Sequence, residues 1–110
     1  VSWFALVSDE VERFFGPHKM HNHGGEWETA TQLYLRPDLA QQGEPVASPF
    51  SHSHSFLSQP GVSLSTARES LTPSGAFGDP SVATADAGRV LIEKGTERLS
   101  EIIKQYAAAN

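Results

Sequence analysis

The 110-residue chain lacks cysteine, any long apolar run and any long run of like charges. Without cysteine there are no disulfides and no thiolate metal ligands, and the composition fits a reducing compartment, so we expect a cytoplasmic protein. No stretch approaches the roughly 18 apolar residues that a membrane span requires. The net charge of −5 argues against nucleic acid as the ligand, because phosphate binding needs a cationic surface.

The length is sufficient for one small domain with a thin core, since 38% of the residues are hydrophobic and nine glycines and seven prolines interrupt the chain. The sequence opens on an apolar run with no initiator methionine. We therefore expect it to begin in the middle of a larger sequence.

Apolar spacing predicts four elements. Residues 1–7 are β-branched and aromatic, which is typical of a buried strand. Ser8 is suited to cap a short helix that Gly16 and Pro17 end. A second helix is predicted over residues 26–35, where Trp27 and Ala30 belong to one apolar face, and an amphipathic helix over residues 84–108.

Residues 37–83 show little periodicity and are predicted to be a long loop, with a short strand over residues 62–64 at most. One or two short strands cannot form a stable sheet. A sheet, if the fold has one, must be completed by residues outside this sequence.

Histidines cluster in two places, at His18, His21 and His23 and again at His52 and His54. Imidazoles at such spacings are able to share a metal ion, so a four-histidine metal site is one interpretation. The helical H-E-x-x-H pair of metallohydrolases is absent, and the alternative is that these side chains lie in solvent-facing loops.

His23 is distinguished by the residues that follow it. Gly24 and Gly25 permit close approach of the backbone, and Glu26 and Glu28 fall in the first turn of the predicted helix. A carboxylate beside a histidine is a common arrangement for proton transfer, and a polar helix cap is the simpler alternative.

Two motifs then show a resemblance to a known family. The segment His-Gly-Gly-Glu-Trp-Glu-Thr-Ala at residues 23–30, followed by Leu-Tyr-Leu-Arg-Pro-Asp-Leu at residues 33–39, resembles the H-A-G-x-x-E-T-S and L-R-P-[DE]-L signatures of the creatininase (creatinine amidohydrolase) family. Gly-Ala-Phe-Gly-Asp-Pro-Ser-Val-Ala-Thr at residues 75–84 is similar to its G-x-x-G-D-P-x-x-A-T segment. Gly24 replaces the usual alanine and Ala30 the usual serine.

The resemblance implies a three-layer α/β/α fold with a mainly parallel sheet, and a metal-dependent hydrolase acting on amide bonds, often cyclic ones. Family members hold two zinc or manganese ions with an N-terminal Glu, His and Asp set and an N-G-H-x-[EG]-N motif, and they usually form hexamers. Neither metal-binding segment is present here. The chain thus resembles the C-terminal half of such an enzyme and is expected to have no metal ligands of its own. An N-terminal half, as a separate chain or a cleaved fragment, is expected to complete the fold. The assembled protein is expected to be a homo- or hetero-oligomer.

Residue by residue, His23 matches the catalytic histidine of the family, which passes a proton from the attacking water to the leaving nitrogen. Glu28 matches the glutamate of the motif and is expected to orient His23 or the substrate. Trp3 is a candidate for binding the small amide substrate, with core packing as the alternative, and Trp27 is expected to pack in the core.

On this basis the chain divides into four parts: a strand, short helix and active-site loop (1–25), the motif helix (26–36), a long loop region (37–83) and the C-terminal helix (84–108). Two other functions are compatible with the sequence: a non-catalytic binding or assembly protein that keeps the fold, and a small histidine-based metal-binding module.

Overall fold

A computed structural model describes residues 1–17, 23–40, 76 and 78–110 of the chain. The described elements are all helical: a 3₁₀ helix at Phe4–Val7, α1 at Ser8–Phe15, α2 at Glu26–Leu35, a 3₁₀ helix at Pro80–Val82 and α3 at Ala85–Ala109. The helices predicted over residues 26–35 and 84–108 coincide with α2 and α3.

The 25-residue helix α3 begins where its sequence provides a cap. Thr84 has extended backbone angles, and its Oγ1 accepts a hydrogen bond of 3.2 Å from the backbone N–H of Ala87. This satisfies one of the N–H groups that the first helical turn leaves without an intrahelical partner.

Helices α2 and α3 cross at very short range because α3 carries a glycine at the contact. A Cβ atom placed on Gly88 would lie 1.9 Å from the carbonyl oxygen of Ala30. Both residues are buried, so the backbones of the two helices are in direct contact at this point. The crossing fixes the position of α2, and with it the loop that precedes α2.

The core of the described residues is small. Val7, Val11 and Leu91 are fully buried, Trp27 is 8% exposed, and these four form one apolar cluster. Trp3 and Phe15 pack against it. The apolar stripe of α3 is buried only in its N-terminal part, since Ile103 and Tyr106 are 58% and 72% exposed.

The predicted strand at residues 1–7 is wrong, because Phe4–Val7 form a 3₁₀ helix. Its backbone is held by tertiary contacts with α3 that the local pattern does not reveal. The indole of Trp3 lies over Gly95, and the carbonyl oxygen of Leu6 accepts a hydrogen bond from Arg98 Nη1. Ser8 does not cap α1 either, since it is itself helical and its hydroxyl donates to the carbonyl oxygen of Ala5.

The expected α/β/α architecture with a mainly parallel sheet is also wrong for the part of the chain that the structure describes. It contains no strand, and His23 and Gly78 each form only an isolated β-bridge. Its buried apolar side chains are covered by contacts between helices, chiefly α2 against α3. In these segments the core is therefore buried by packing between helices and not by a sheet.

Several predictions concern residues outside the described ranges. The residues concerned are most of the predicted long loop, including the short strand predicted over residues 62–64, and four of the five histidines, namely His18, His21, His52 and His54. Among the helices of the described residues, none combines the length and the apolar character needed to cross a membrane.

Candidate functional site

His23 lies directly before α2 and is exposed to solvent. The two glycines that follow it bring the chain into the helix. Gly24 has a φ of +61°, in the left-handed region that glycine tolerates best, and Gly25 is the N-cap residue of α2. A Cβ on Gly24 would make ordinary contact with Cβ of Ala76 at 3.7 Å. The resemblance pairs Gly24 with alanine, but this backbone angle favours the glycine that is present.

Glu28 fixes the loop that carries His23. Its Oε2 accepts a hydrogen bond from the backbone N–H of Gly24, the residue next to His23. Glu28 is the third residue of α2, and its carboxylate reaches back past the N-cap residue Gly25, one residue further than in a capping box, where the acceptor bonds the N-cap N–H itself. In this geometry Glu28 holds the backbone beside His23, and its role in orienting His23 or the substrate stays a prediction.

Glu26 is placed differently from Glu28. It is the first residue of α2 and is 1% exposed, whereas Glu28 is half-buried. The sequence predicted only that both carboxylates complement the positive end of the helix dipole. A signal for the burial was present in the spacing, because Glu26 stands four positions before Ala30, which is also buried.

Trp3 is held by packing contacts. A Cβ on Gly95 would lie 2.3 Å from Trp3 Nε1, which shows how closely the indole covers that glycine. The ring centroids of Trp3 and Trp27 are 6.4 Å apart, and those of Phe4 and Trp27 are 5.2 Å apart. The core placement expected for Trp27 is confirmed, and a substrate contact for Trp3 stays a prediction.

The described residues hold no group of three or more His, Asp or Glu side chains placed to bind a metal ion. His23 and Glu28 are therefore not part of a metal site built from these segments alone. The four-histidine interpretation depends on His18, His21, His52 and His54, which lie outside the described ranges.

Just after the end of α2, two residues of the segment Leu-Tyr-Leu-Arg-Pro-Asp-Leu form an ion pair. The guanidinium of Arg36 donates two hydrogen bonds to the carboxylate of Asp38, at 2.9 and 2.7 Å. These bonds raise the pKa of Arg36 and lower the pKa of Asp38. Leu39 N–H also donates to the carbonyl oxygen of Arg36, so this part of the motif forms a turn that ends the helix.

The motif thus forms one structural unit, with His23 before α2, Glu28 in its first turn and the Arg36–Asp38 pair just after its end. A family model described as creatinine amidohydrolase matches residues 1–103. The chain belongs to the creatininase family. The match extends through the first 22 residues, where the motif resemblance was loose. No curated protein and no solved structure matches the chain.

Membership of the creatininase family indicates a hydrolase of the amidohydrolase type, and the family is in general metal-dependent. The family resemblance read from the two motifs is thereby confirmed.

Proposed function

We propose that the protein hydrolyses the C–N bond of a small amide, in particular a cyclic amide, and that His23 transfers the proton in this reaction. The observation that carries the proposal is the hydrogen bond from Gly24 N–H to Glu28, which holds the exposed His23 at the entrance of α2 in a chain of the creatininase family.

Amide hydrolysis requires a proton to move twice. Water adds to the carbonyl carbon and loses a proton, and the C–N bond then breaks as the leaving nitrogen gains one. A histidine is suited to both steps, because its neutral ring accepts the first proton and its charged ring donates the second. Glu28 keeps the backbone of His23 in place during both transfers.

The proposal assigns the divalent ions, zinc or manganese, to residues beyond those described. The described residues do not fit a complete metal site, since no three ligand side chains converge among them. No step of the reaction is therefore assigned to a metal here. We propose that an N-terminal half of the same enzyme, as a separate chain or a cleaved fragment, supplies the ligands within a homo- or hetero-oligomer.

The test is hydrolysis by the protein purified in its native assembly with zinc or manganese supplied. Creatinine is the first substrate to assay because it is the substrate named in the family description, and a panel of other small cyclic amides follows. We expect His23→Ala to lower turnover by about two to four orders of magnitude, the usual contribution of a positioned acid–base group.

Glu97→Gln is the matched control, because Glu97 lies on the exposed side of α3 and pairs only with Lys94 in the described structure. This variant should keep wild-type turnover. Turnover of His23→Ala within about threefold of wild type would remove His23 from the mechanism.

Metal analysis of the same samples distinguishes the proposed hydrolase from the two alternatives, a histidine-based metal-binding module and a non-catalytic binding or assembly protein. The proposal predicts weak metal binding by the 110-residue chain alone and stoichiometric metal in the assembly. Tight binding by the isolated chain would indicate a histidine-based metal module, and an assembly without metal or turnover would indicate a binding or assembly protein.

A further inference from the structure

The segments that carry the two family motifs meet beside His23. A Cβ atom on Gly24 would lie 3.7 Å from Cβ of Ala76 and 3.8 Å from its Cα, which are ordinary van der Waals distances. His23 and Gly78 each form an isolated β-bridge, so the backbone of both segments takes part in pairing here. Residues far apart in the sequence are therefore in contact at the loop that carries His23.

The chain that follows Ala76 is anchored by contacts of its own. The carboxylate of Asp79 accepts hydrogen bonds from the backbone N–H of Ser81, at 3.0 Å, and from the hydroxyl of Ser81. The 3₁₀ helix Pro80–Val82 begins with a proline, whose fixed φ suits a helical turn, and this helix contacts α2. The second motif is thus fixed to the same helix that carries Glu28.

Two contacts hold the backbone of Gly24. Its N–H donates a hydrogen bond to the Glu28 carboxylate, and its Cα faces the methyl group of Ala76. A glycine has little conformational preference of its own, so the φ of +61° has to be maintained by such neighbours. Accurate placement is important for catalysis, because a displacement of about 1 Å at a reacting group lowers the rate about 100-fold.

We propose that Ala76 is a positioning residue for His23, an inference that rests on the function proposed above. The methyl group of Ala76 packs against Gly24 and keeps the adjacent His23 in the place from which it transfers the proton. Ala76 acts through Gly24 and not through contact with the substrate. Because the contact is made by one small side chain, both a larger and a smaller side chain at position 76 shift the loop.

Three substitutions of Ala76 test this role. Ala76→Val adds bulk on a stiff, β-branched side chain, Ala76→Gly removes the methyl contact, and Ala76→Ser keeps the side chain small. We expect kcat to fall about 10- to 100-fold in Ala76→Val and about 3- to 10-fold in Ala76→Gly, with KM within about twofold of wild type. Ala76→Ser should keep kcat within about twofold of wild type.

The measurements are kcat per folded molecule and KM of the native assembly, with thermal unfolding of each variant. Ala108→Val is the matched control, because it is the same substitution at an exposed position near the end of α3, and it should keep the kcat of wild type. If Ala76→Val does not fold, the kcat of Ala76→Gly decides.

Three results overturn the proposal. Wild-type kcat in every folded variant of Ala76, with only the unfolding temperature lowered, would show that its role is purely structural. A raised KM with unchanged kcat in Ala76→Val would show that Ala76 contacts the substrate instead. Either result leaves the proposed function intact, whereas a wild-type assembly that hydrolyses none of the amides overturns both.

Discussion

Arg98 of α3 forms two hydrogen bonds with the carboxylate of Asp9 in α1, from Nη1 at 2.6 Å and from Nη2 at 2.8 Å. Arg98 Nη1 also donates to the carbonyl oxygen of Leu6. One guanidinium therefore joins the 3₁₀ helix, α1 and α3. This planar, two-pronged geometry is specific to arginine, and a lysine would not reproduce it.

The Asp9–Arg98 pair predicts an acid-dependent loss of stability. Hydrogen bonding from Arg98 lowers the pKa of Asp9 from 3.8 to about 2. Because the carboxyl group binds a proton more readily in the unfolded chain, the stabilisation is complete above about pH 4. It is lost as the pH falls towards 2. Asp9 is 63% exposed, so solvent screening keeps the contribution below about 1 kcal/mol.

Urea unfolding at pH 6, 4 and 2.5 would measure this effect. Asp9→Asn should lose under about 1 kcal/mol at pH 6 and should show a weaker dependence on pH than wild type between pH 4 and 2.5. Asp86→Asn is the control, because Asp86 forms an exposed ion pair with Arg89 within α3 and does not join two helices. If Asp9→Asn retains the full acid dependence of wild type, the pair does not cause it.

Gly88→Ala is predicted to be severely destabilising. The added methyl group would lie 1.9 Å from the carbonyl oxygen of Ala30 and 2.5 Å from its carbonyl carbon. These are backbone atoms, so the clash is relieved only by separating α2 from α3. We expect a loss of about 3 kcal/mol or more of unfolding free energy, which outweighs the roughly 1 kcal/mol gained in helix propensity. Circular dichroism during denaturant unfolding measures it, and an unchanged midpoint would contradict the close crossing.

Gly95→Ala should cost less, because its nearest neighbour is a side chain. The new Cβ would meet Trp3 Nε1 at 2.3 Å, and the indole can rotate away at the expense of its packing. We expect a loss of about 1–2 kcal/mol. A double-mutant cycle with Trp3→Leu tests the cause, since the smaller side chain should remove most of the penalty. Additive losses in the double variant would show that Trp3 does not lie over Gly95.

The hydrogen bond from Gly24 N–H to Glu28 predicts different effects for two substitutions of Glu28. Glu28→Gln keeps an acceptor oxygen and should retain most of the stability and turnover. Glu28→Ala removes the acceptor and should cost about 1 kcal/mol of stability, the usual value of a helix cap. It should also lower turnover about 10- to 100-fold, because His23 is then less well placed.

Steady-state kinetics and thermal unfolding of both Glu28 variants provide the comparison. Both substitutions replace the same residue, so any loss of turnover that follows from changing Glu28 in general is common to both variants and cancels when they are compared. Equal loss of turnover in Glu28→Gln and Glu28→Ala would mean that the charge of Glu28 matters, and not its bond to Gly24.

Parts of the fold that depend on local pattern were predictable. The apolar periodicity of α2 and α3 located both helices, and Thr84 begins α3 with a side-chain cap. The first seven residues were not predictable in this way, because a short apolar run satisfies a strand and a helical turn equally well. The contacts with Gly95 and Arg98 decide in favour of the turn.

The same division applies to the candidate site. The sequence singled out His23 and Glu28, and the structure adds that Glu28 acts on the loop through Gly24 N–H. The burial of Glu26 was missed, because both glutamates were expected only to complement the helix dipole, and the spacing of Glu26 to Ala30 was not used. In the structure Glu26 is buried and Glu28 is half-buried.

The sequence by itself determined the family, the two long helices and the residue expected to transfer the proton, because these depend on the order and spacing of residues along the chain. Only the tertiary structure decided that the first turn is helical, that α2 and α3 touch at Gly88 and Ala30, and that one carboxylate of the motif is buried. The first two features arise from contacts between residues far apart in the sequence, whose energies outweigh local preferences.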